Sequence, residues 1–174
     1  ITDLLEYTRT RLGAGIPIDR AVCDLGPVCE ASLEDIRAGN PDQQFVQQMS
    51  GDLCLPADAA RMQQALSNLL SNAVQHGSQR SAVTLTADGE EDAVVLKVTN
   101  SGEPIPADAL QVIFEPLVQS PSSGSEAHER SKTSLGLGLF IVREIVLAHG
   151  GTIAVESSMA AGTVFTIRLP RVPA

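Results

Sequence analysis

Apolar residues recur along this chain with two periods, and the places where one gives way to the other mark out its elements. Between about Ala57 and His76, Met62, Ala65, Leu66, Leu69, Leu70 and Ala73 fall at i, i+3, i+4, i+7, i+8 and i+11, the stripe of a helix packed on one side. Gln64, Asn68 and Asn72 stack on a neighbouring strip, and Gly77 closes the helix. A second helix is predicted over about Leu25 to Ala38, with Val28, Cys29, Leu33 and Ile36 on one side, Asp24 as its cap and Gly39-Asn40-Pro41 as its stop. Ile1 to Leu12, apolar at positions 1, 4, 5 and 12 among charges, reads as a helical tail ended by Gly13-Ala14-Gly15, and Ala107 to Ile113 suits a short helix.

Alternation with a period of two takes over at Val83 to Ala87 and Ala93 to Asn100, which flank Asp88-Gly89-Glu90-Glu91-Asp92 as an antiparallel hairpin. Thr152 to Glu156 and Thr163 to Leu169 make a second hairpin around Ala160-Ala161-Gly162, and Pro170 ends it. Gln43 to Met49 is a predicted strand turned by Ser50-Gly51-Asp52, Leu53 to Leu55 a short one, and Ile16-Pro17-Ile18 an extended segment. Helices on one face of a mixed sheet built largely of hairpins make an α/β (α+β) two-layer sandwich.

Two stretches do not fit these periods. From Gln119 to Thr133 the composition shifts to Ser, Gly, Glu and basic residues with Ala127 as its one apolar member, which predicts a mobile loop of the length that functional lids have. Gly136 and Gly138 follow, then an apolar helix stopped by Gly150-Gly151. Glycines before a helix start let an anion reach bare N–H groups at the positive end of the helix dipole. The same pattern also serves a loop that enters a buried helix and needs close packing. No Gly-Lys-Ser/Thr follows, so this is not a P-loop.

The chain of 174 residues is 43% apolar, enough for one domain with a real core. No run approaches the ~20 apolar residues of a membrane helix. A net charge of −9 argues against nucleic acid and against an anionic membrane surface, and it requires that any bound polyphosphate bring a metal ion and meet local backbone donors. Cys23, Cys29 and Cys54 are odd in number and lack ligand spacing, so they are expected to be reduced core residues of a cytoplasmic protein. Ile1 lies inside a helical pattern with no Met before it, which suggests a fragment of a longer protein.

Taken in order, these segments resemble one family. Leu69-Leu70-Ser71-Asn72-Ala73 is similar to the Asn box of the histidine kinase ATP-binding domain. The turn at Gly102, the Ile113-Phe114-Glu115-Pro116-Leu117 segment, Gly136-Leu137-Gly138-Leu139 and Gly162-Thr163 are similar to its first glycine box, phenylalanine box, second and third glycine boxes. The resemblance runs from about Asp52 to Leu169 and lies nearest sensor kinases with phytochrome or related input modules. It implies the Bergerat fold, ATP and Mg²⁺ as ligands, and a catalytic ATP-binding domain over residues 15–174 with a lid at about 118–134. Residues 1–14 resemble the end of the second helix of the dimerisation and phosphoacceptor domain. The implied partners are that domain, a response regulator and a second copy in the full-length homodimer. Asn72 would coordinate Mg²⁺, Asn100 and Gly102 would meet adenine, Gly136 and Gly138 would offer N–H groups to phosphates, and Thr163 would lie near the base. Asn68, His76, Ile105, Leu137 and Leu139 complete the implied nucleotide set, with Arg130 and Lys132 as candidate lid cations.

Departures from the family pattern set the alternatives. Asn100 stands where Asp is usual, Pro104 replaces a glycine, Leu117 an aromatic, and Gln75 a phosphate-binding cation. Asn68 stands where the superfamily's hydrolases carry Glu, and an amide is no general base, so transfer to an outside nucleophile is favoured over hydrolysis. Of the three histidines, His149 is expected to be structural and His76 to favour a cation at a helix C-terminus. His128 lacks the amphipathic helix of a phosphoacceptor, which is therefore expected before Ile1. The alternatives are a degenerate nucleotide-sensing or scaffold module without phosphotransfer, and a serine kinase of the anti-sigma-factor type.

Overall fold

A computed structural model describes residues 2–118 and 136–172. In chain order its elements are α1 (Thr2–Arg11), β1 (Ala21–Asp24), α2 (Leu25–Gly39), β2 (Phe45–Ser50), β3 (Cys54–Ala57), α3 (Ala59–His76), β4 (Val83–Gly89), β5 (Ala93–Asn100), α4 (Ala107–Val112), α5 (Gly138–Ala148), β6 (Thr152–Ser158) and β7 (Gly162–Pro170). The expected lid, with Arg130, Lys132 and His128, lies outside the described residues apart from Val118.

Five strands form one sheet in the order β2-β4-β5-β7-β6, with β2 and β4 parallel and every other pair antiparallel. Both predicted hairpins are present. Alternation sets which face meets the helices: Leu85, Val98, Phe165 and Val155 share one cross-strand row, and Ala87, Leu96, Ile167 and Ile153 share the next. These rows join Met62, Leu66, Leu69 and Leu70 of α3 and Ile141, Ile145 and Val146 of α5 in one core. The expected two-layer sandwich is what forms.

The structure adds to or departs from the sequence reading in four places. Strand β1, which the pattern did not mark, starts at Ala21 and pairs antiparallel with β3 in a separate two-stranded ribbon. Ala57 ends β3 rather than starting the long helix, because Asp58 caps α3: its Oδ1 accepts from Arg61 N at 3.1 Å and its Oδ2 from Asp19 N at 2.8 Å. Burial, the largest single influence, acts to raise the Asp58 pKa, but the two N–H donors together with the nearby charge of Arg61 hold the carboxylate below its ordinary range. Cys29 alone of the three cysteines is buried; Cys23 is half-buried and Cys54 exposed on the ribbon. Helix α1 buries a charged residue and not its leucines: Leu4 and Leu5 face solvent, as does Leu12 just beyond it, while Glu6 is buried against Arg61 and accepts from Gln64 Nε2 at 2.8 Å.

His149 has the structural place expected of it. It is buried, its Nδ1 bonds Ile145 O at 2.7 Å, and its Nε2 accepts from Asp58 N at 3.0 Å. The neutral ring, protonated on Nδ1, thereby ties the end of α5 to the start of α3.

Beyond β7 one side chain closes the opposite end of the sheet. Arg171 donates to Cys54 O at 2.5 Å, Asp52 O at 2.6 Å and Glu90 O at 3.0 Å, joining the chain's last described turn to the β3 and β4–β5 turns. Removing it hands three carbonyls at an exposed edge back to water. Arg171→Ala is expected to lower stability by about 2–3 kcal/mol in urea denaturation with nucleotide binding intact; a loss below about 0.5 kcal/mol would contradict the clamp.

Candidate nucleotide site

The site lies where the apolar rows of the sheet run out. Beyond the Val98–Phe165–Val155 row the next cross-strand row is Asn100, Thr163 and Ser157, all polar, on the same helix-facing side. Asn100 is 5% exposed and Thr163 6%, so this polar row is buried against something other than plain core. Ser157 Oγ bonds Thr163 Oγ1 at 2.7 Å and accepts from Ile105 N at 2.9 Å, which fixes the segment after Gly102 onto the sheet.

Three glycines hold that end together by lacking a side chain. A Cβ on Gly162 (φ +74°) would sit 2.3 Å from Asn100 O, and one on Gly102 2.7 Å from His76 O. Ser78 N donates to Ser101 O at 2.6 Å, so the turn after β5 is sewn to the end of α3. A Cβ on Gly77 would crowd Asn100 Nδ2 at 3.3 Å. The pattern marked Gly77 only as a helix stop, with φ −80°; its missing side chain also clears the Asn100 amide.

The polar strip of α3 forms one wall. Asn68 Nδ2 donates to Gly138 O at 3.3 Å, bringing the start of α5 against the middle of α3, and Asn72 lies one turn nearer Gly77. From Asn68 to Gly77 the helix rises about 13 Å, so phosphate-type donors at one end and the polar row at the other are spaced along it.

The opposite wall is the start of α5. Its first residue is Gly138, its N-cap is Leu137, and no side chain caps it, so the first-turn N–H groups keep their capacity for a ligand. Leu137 is buried and Leu139 half-buried; what they offer is backbone N–H, not side chains. Gly136 takes φ +66°, and its carbonyl accepts from Leu117 N at 3.1 Å, so the chain on either side of residues 119–135 meets here. Phe114 packs edge-on to Phe165 with ring centroids 6.1 Å apart, anchoring that segment to the core as its aromatic character suggested.

His76 is exposed at the end of α3, and the desolvation its ring does undergo pulls its pKa below the ordinary value. Of the expected residues that are described, Asn68 meets Gly138 at the start of α5, Gly102 packs on the His76 carbonyl, Ile105 joins the Asn100–Thr163 pair through Ser157, and Asn72 lies on α3 between Asn68 and His76. Ser157 was missed; the β6 alternation, which turns from Ile153 and Val155 to a serine in the same file, carried the signal.

Among the described residues no cluster of three or more His, Cys, Asp or Glu could hold a metal. A cation here would rest on an amide oxygen and on ligand oxygens. That donor set fits Mg²⁺, which keeps several waters and binds phosphates.

An uncapped, glycine-led helix facing an amide strip over the polar end of a mixed sheet defines a phosphate-binding α+β sandwich. Residues 57–173 match the histidine kinase-, DNA gyrase B- and HSP90-like ATPase family, and the chain belongs to it. The probable sensor histidine kinase TcrY of Mycobacterium tuberculosis is 36% identical over 173 residues, 98% of this chain and 35% of that protein. The chain spans less than half the length of the curated relatives it matches, 26% in the sensor protein CzcS of Cupriavidus metallidurans, which is 38% identical over 74% of this chain. The catalytic domain of histidine kinase ThkA superposes with TM-score 0.73 at 28% identity, over 89% of this chain and 97% of that one. ThkA in complex with the response regulator TrrA gives 0.76 at 26% identity, over 99% and 46%. Full-length ShkA in complex with AMPPNP gives 0.79 at 29% identity, over 99% and 35%. Among the described residues no helix is long and apolar enough to cross a membrane.

Proposed function

We propose that this chain is the catalytic ATP-binding region of a cytoplasmic sensor histidine kinase, which delivers the γ-phosphoryl group of Mg·ATP to a histidine outside the chain. The observation that carries this reading is the uncapped start of α5 held against the Asn68–Asn72 strip. ShkA, which superposes over 99% of the chain, was solved with the ATP analogue AMPPNP, and the ThkA–TrrA complex supports a response regulator as downstream partner. In this reading residues 1–14 are the end of a dimerisation and phosphoacceptor helix in a homodimeric kinase, and residues 15–174 the ATP-binding domain. The segment at about 118–134 is its lid, bringing Arg130 and Lys132 to the phosphates.

The chain's own groups then do three things. The backbone N–H groups of Gly138 and its neighbours meet phosphate oxygens where charge builds up, an electrostatic contribution that needs no rearrangement. The Asn100, Thr163 and Ser157 row orients the base, and Ile105 closes over it through its bond to Ser157. Asn68, bound to the Gly138 carbonyl, supplies no base, so water in the site is not activated. Bound Mg²⁺, held by Asn72, would neutralise phosphate charge. Mixed with an acceptor-helix fragment and Mg·ATP, the chain is expected to transfer phosphate to histidine with ATP hydrolysis slow by comparison; transfer is read as acid-labile, base-stable label. Tight ATP binding without transfer to any acceptor would instead favour the nucleotide-sensing module, the reading that Gln75, exposed where a cation would meet phosphate, speaks for.

A further inference from the structure

We infer that this site takes 6-oxopurine nucleoside triphosphates as well as 6-aminopurine ones. The inference rests on the nucleotide reading above and concerns which base edge the polar row accepts.

None of the three side chains in that row has a fixed hydrogen-bonding sign. The Asn100 carboxamide carries an acceptor and a donor that change places when the amide turns over. Room for that turn comes from Gly77: a Cβ there would stand 3.2 Å from Asn100 Cβ and 3.3 Å from Nδ2, tighter than ordinary contact. Asn100 lies directly opposite Thr163, and Thr163 is bonded to Ser157 at 2.7 Å. Ser157 Oγ already accepts from Ile105 N, and the proton between the two hydroxyls can run either way. If Ser157 donates, the Thr163 O–H is left to give to the base; if Thr163 donates, its lone pairs are left to accept.

Adenine offers a donor at position 6 and an acceptor at N1; hypoxanthine and guanine offer the reverse. A carboxylate in the place of Asn100 accepts only, so it would pair with the amino group and repel a carbonyl. The amide and hydroxyl row inverts with the base, so position 6 does not decide the choice.

Calorimetry with Mg·ATP and Mg·ITP on the chain, and on Asn100→Asp, tests this, because ITP differs from ATP only around position 6. The unaltered chain is expected to bind the two within about tenfold. Asn100→Asp is expected to shift the ratio towards ATP by roughly 10- to 100-fold, the worth of a hydrogen bond to a charged group gained on one side and a repulsion on the other. ATP binding with ITP weaker by more than about 100-fold would overturn the inference, as would an unchanged ratio in a folded Asn100→Asp. Should the variant not fold, the ratio in the unaltered chain decides alone. Failure of both nucleotides to bind would remove the nucleotide reading itself, and this inference with it.

Discussion

Asn72→Ala is expected to abolish magnesium-dependent nucleotide binding while leaving the fold in place. Asn72 sits on the half-buried polar strip of α3, beside but not within the stripe of Met62, Ala65, Leu66, Leu69, Leu70 and Ala73 that builds the core. Its removal therefore opens no apolar cavity, and alanine is the better helix former, so stability should hold or rise slightly. Binding is another matter. With no acidic cluster among the described residues and a net charge of −9, the cation has one amide to rely on and a repulsive molecule around it. Even outer-sphere partners of a metal account for 10–100-fold in affinity, so loss of the direct ligand should cost roughly 100-fold or more. Calorimetry with and without EDTA reads the effect: chelation should weaken the unaltered chain strongly and the variant hardly at all. An unchanged affinity in the variant would remove Asn72 as the metal ligand.

Gly162→Ala should be the most damaging single-methyl change near the site. Gly162 holds φ +74°, and the added Cβ would lie 2.3 Å from Asn100 O and 3.2 Å from Ser101 Cα. Left-handed backbone costs an alanine about 1–2 kcal/mol. The clash adds more, because its partners are backbone atoms of a strand end and cannot swing aside. A total of about 3 kcal/mol lowers Tm by about 6–12 °C for a chain of this size. Relief must come by shifting β7 against β5 at the Asn100–Thr163 pair, so nucleotide affinity falls along with stability. Gly39→Ala is the control: Gly39 ends α2 with nothing within 4 Å of an added Cβ, and the change should be neutral or stabilising. A Gly162→Ala Tm within 2 °C of the parent would contradict this account.

What could be read from the chain, and what could not, divides by the range of the interaction. The α3 stripe, both hairpins and the glycine-led helix were legible because each rests on local periodicity or a turn. Strand β1 was not, since its four residues, alternating weakly, owe their strand form to β3 more than thirty positions away. Arg171 looked like a surface cation because nothing in a sequence reveals three carbonyls converging on one guanidinium. For the site, the order of the Asn and glycine segments drew out the residues of α3, β5 and α5. Ser157 emerges only when register places it beside Thr163, and the role of Gly77 only when the space it leaves is seen.

The inverted helix α1 has a mechanical meaning. Its seam with the body is an ion pair, one amide-to-carboxylate bond and one edge-on aromatic contact between Tyr7 and Phe140, while Leu4 and Leu5 look outward. Such a joint, when it parts, hands mostly wettable groups back to water rather than a greasy scar. Its ion pair, lying near the surface, is the part of that joint that added salt weakens.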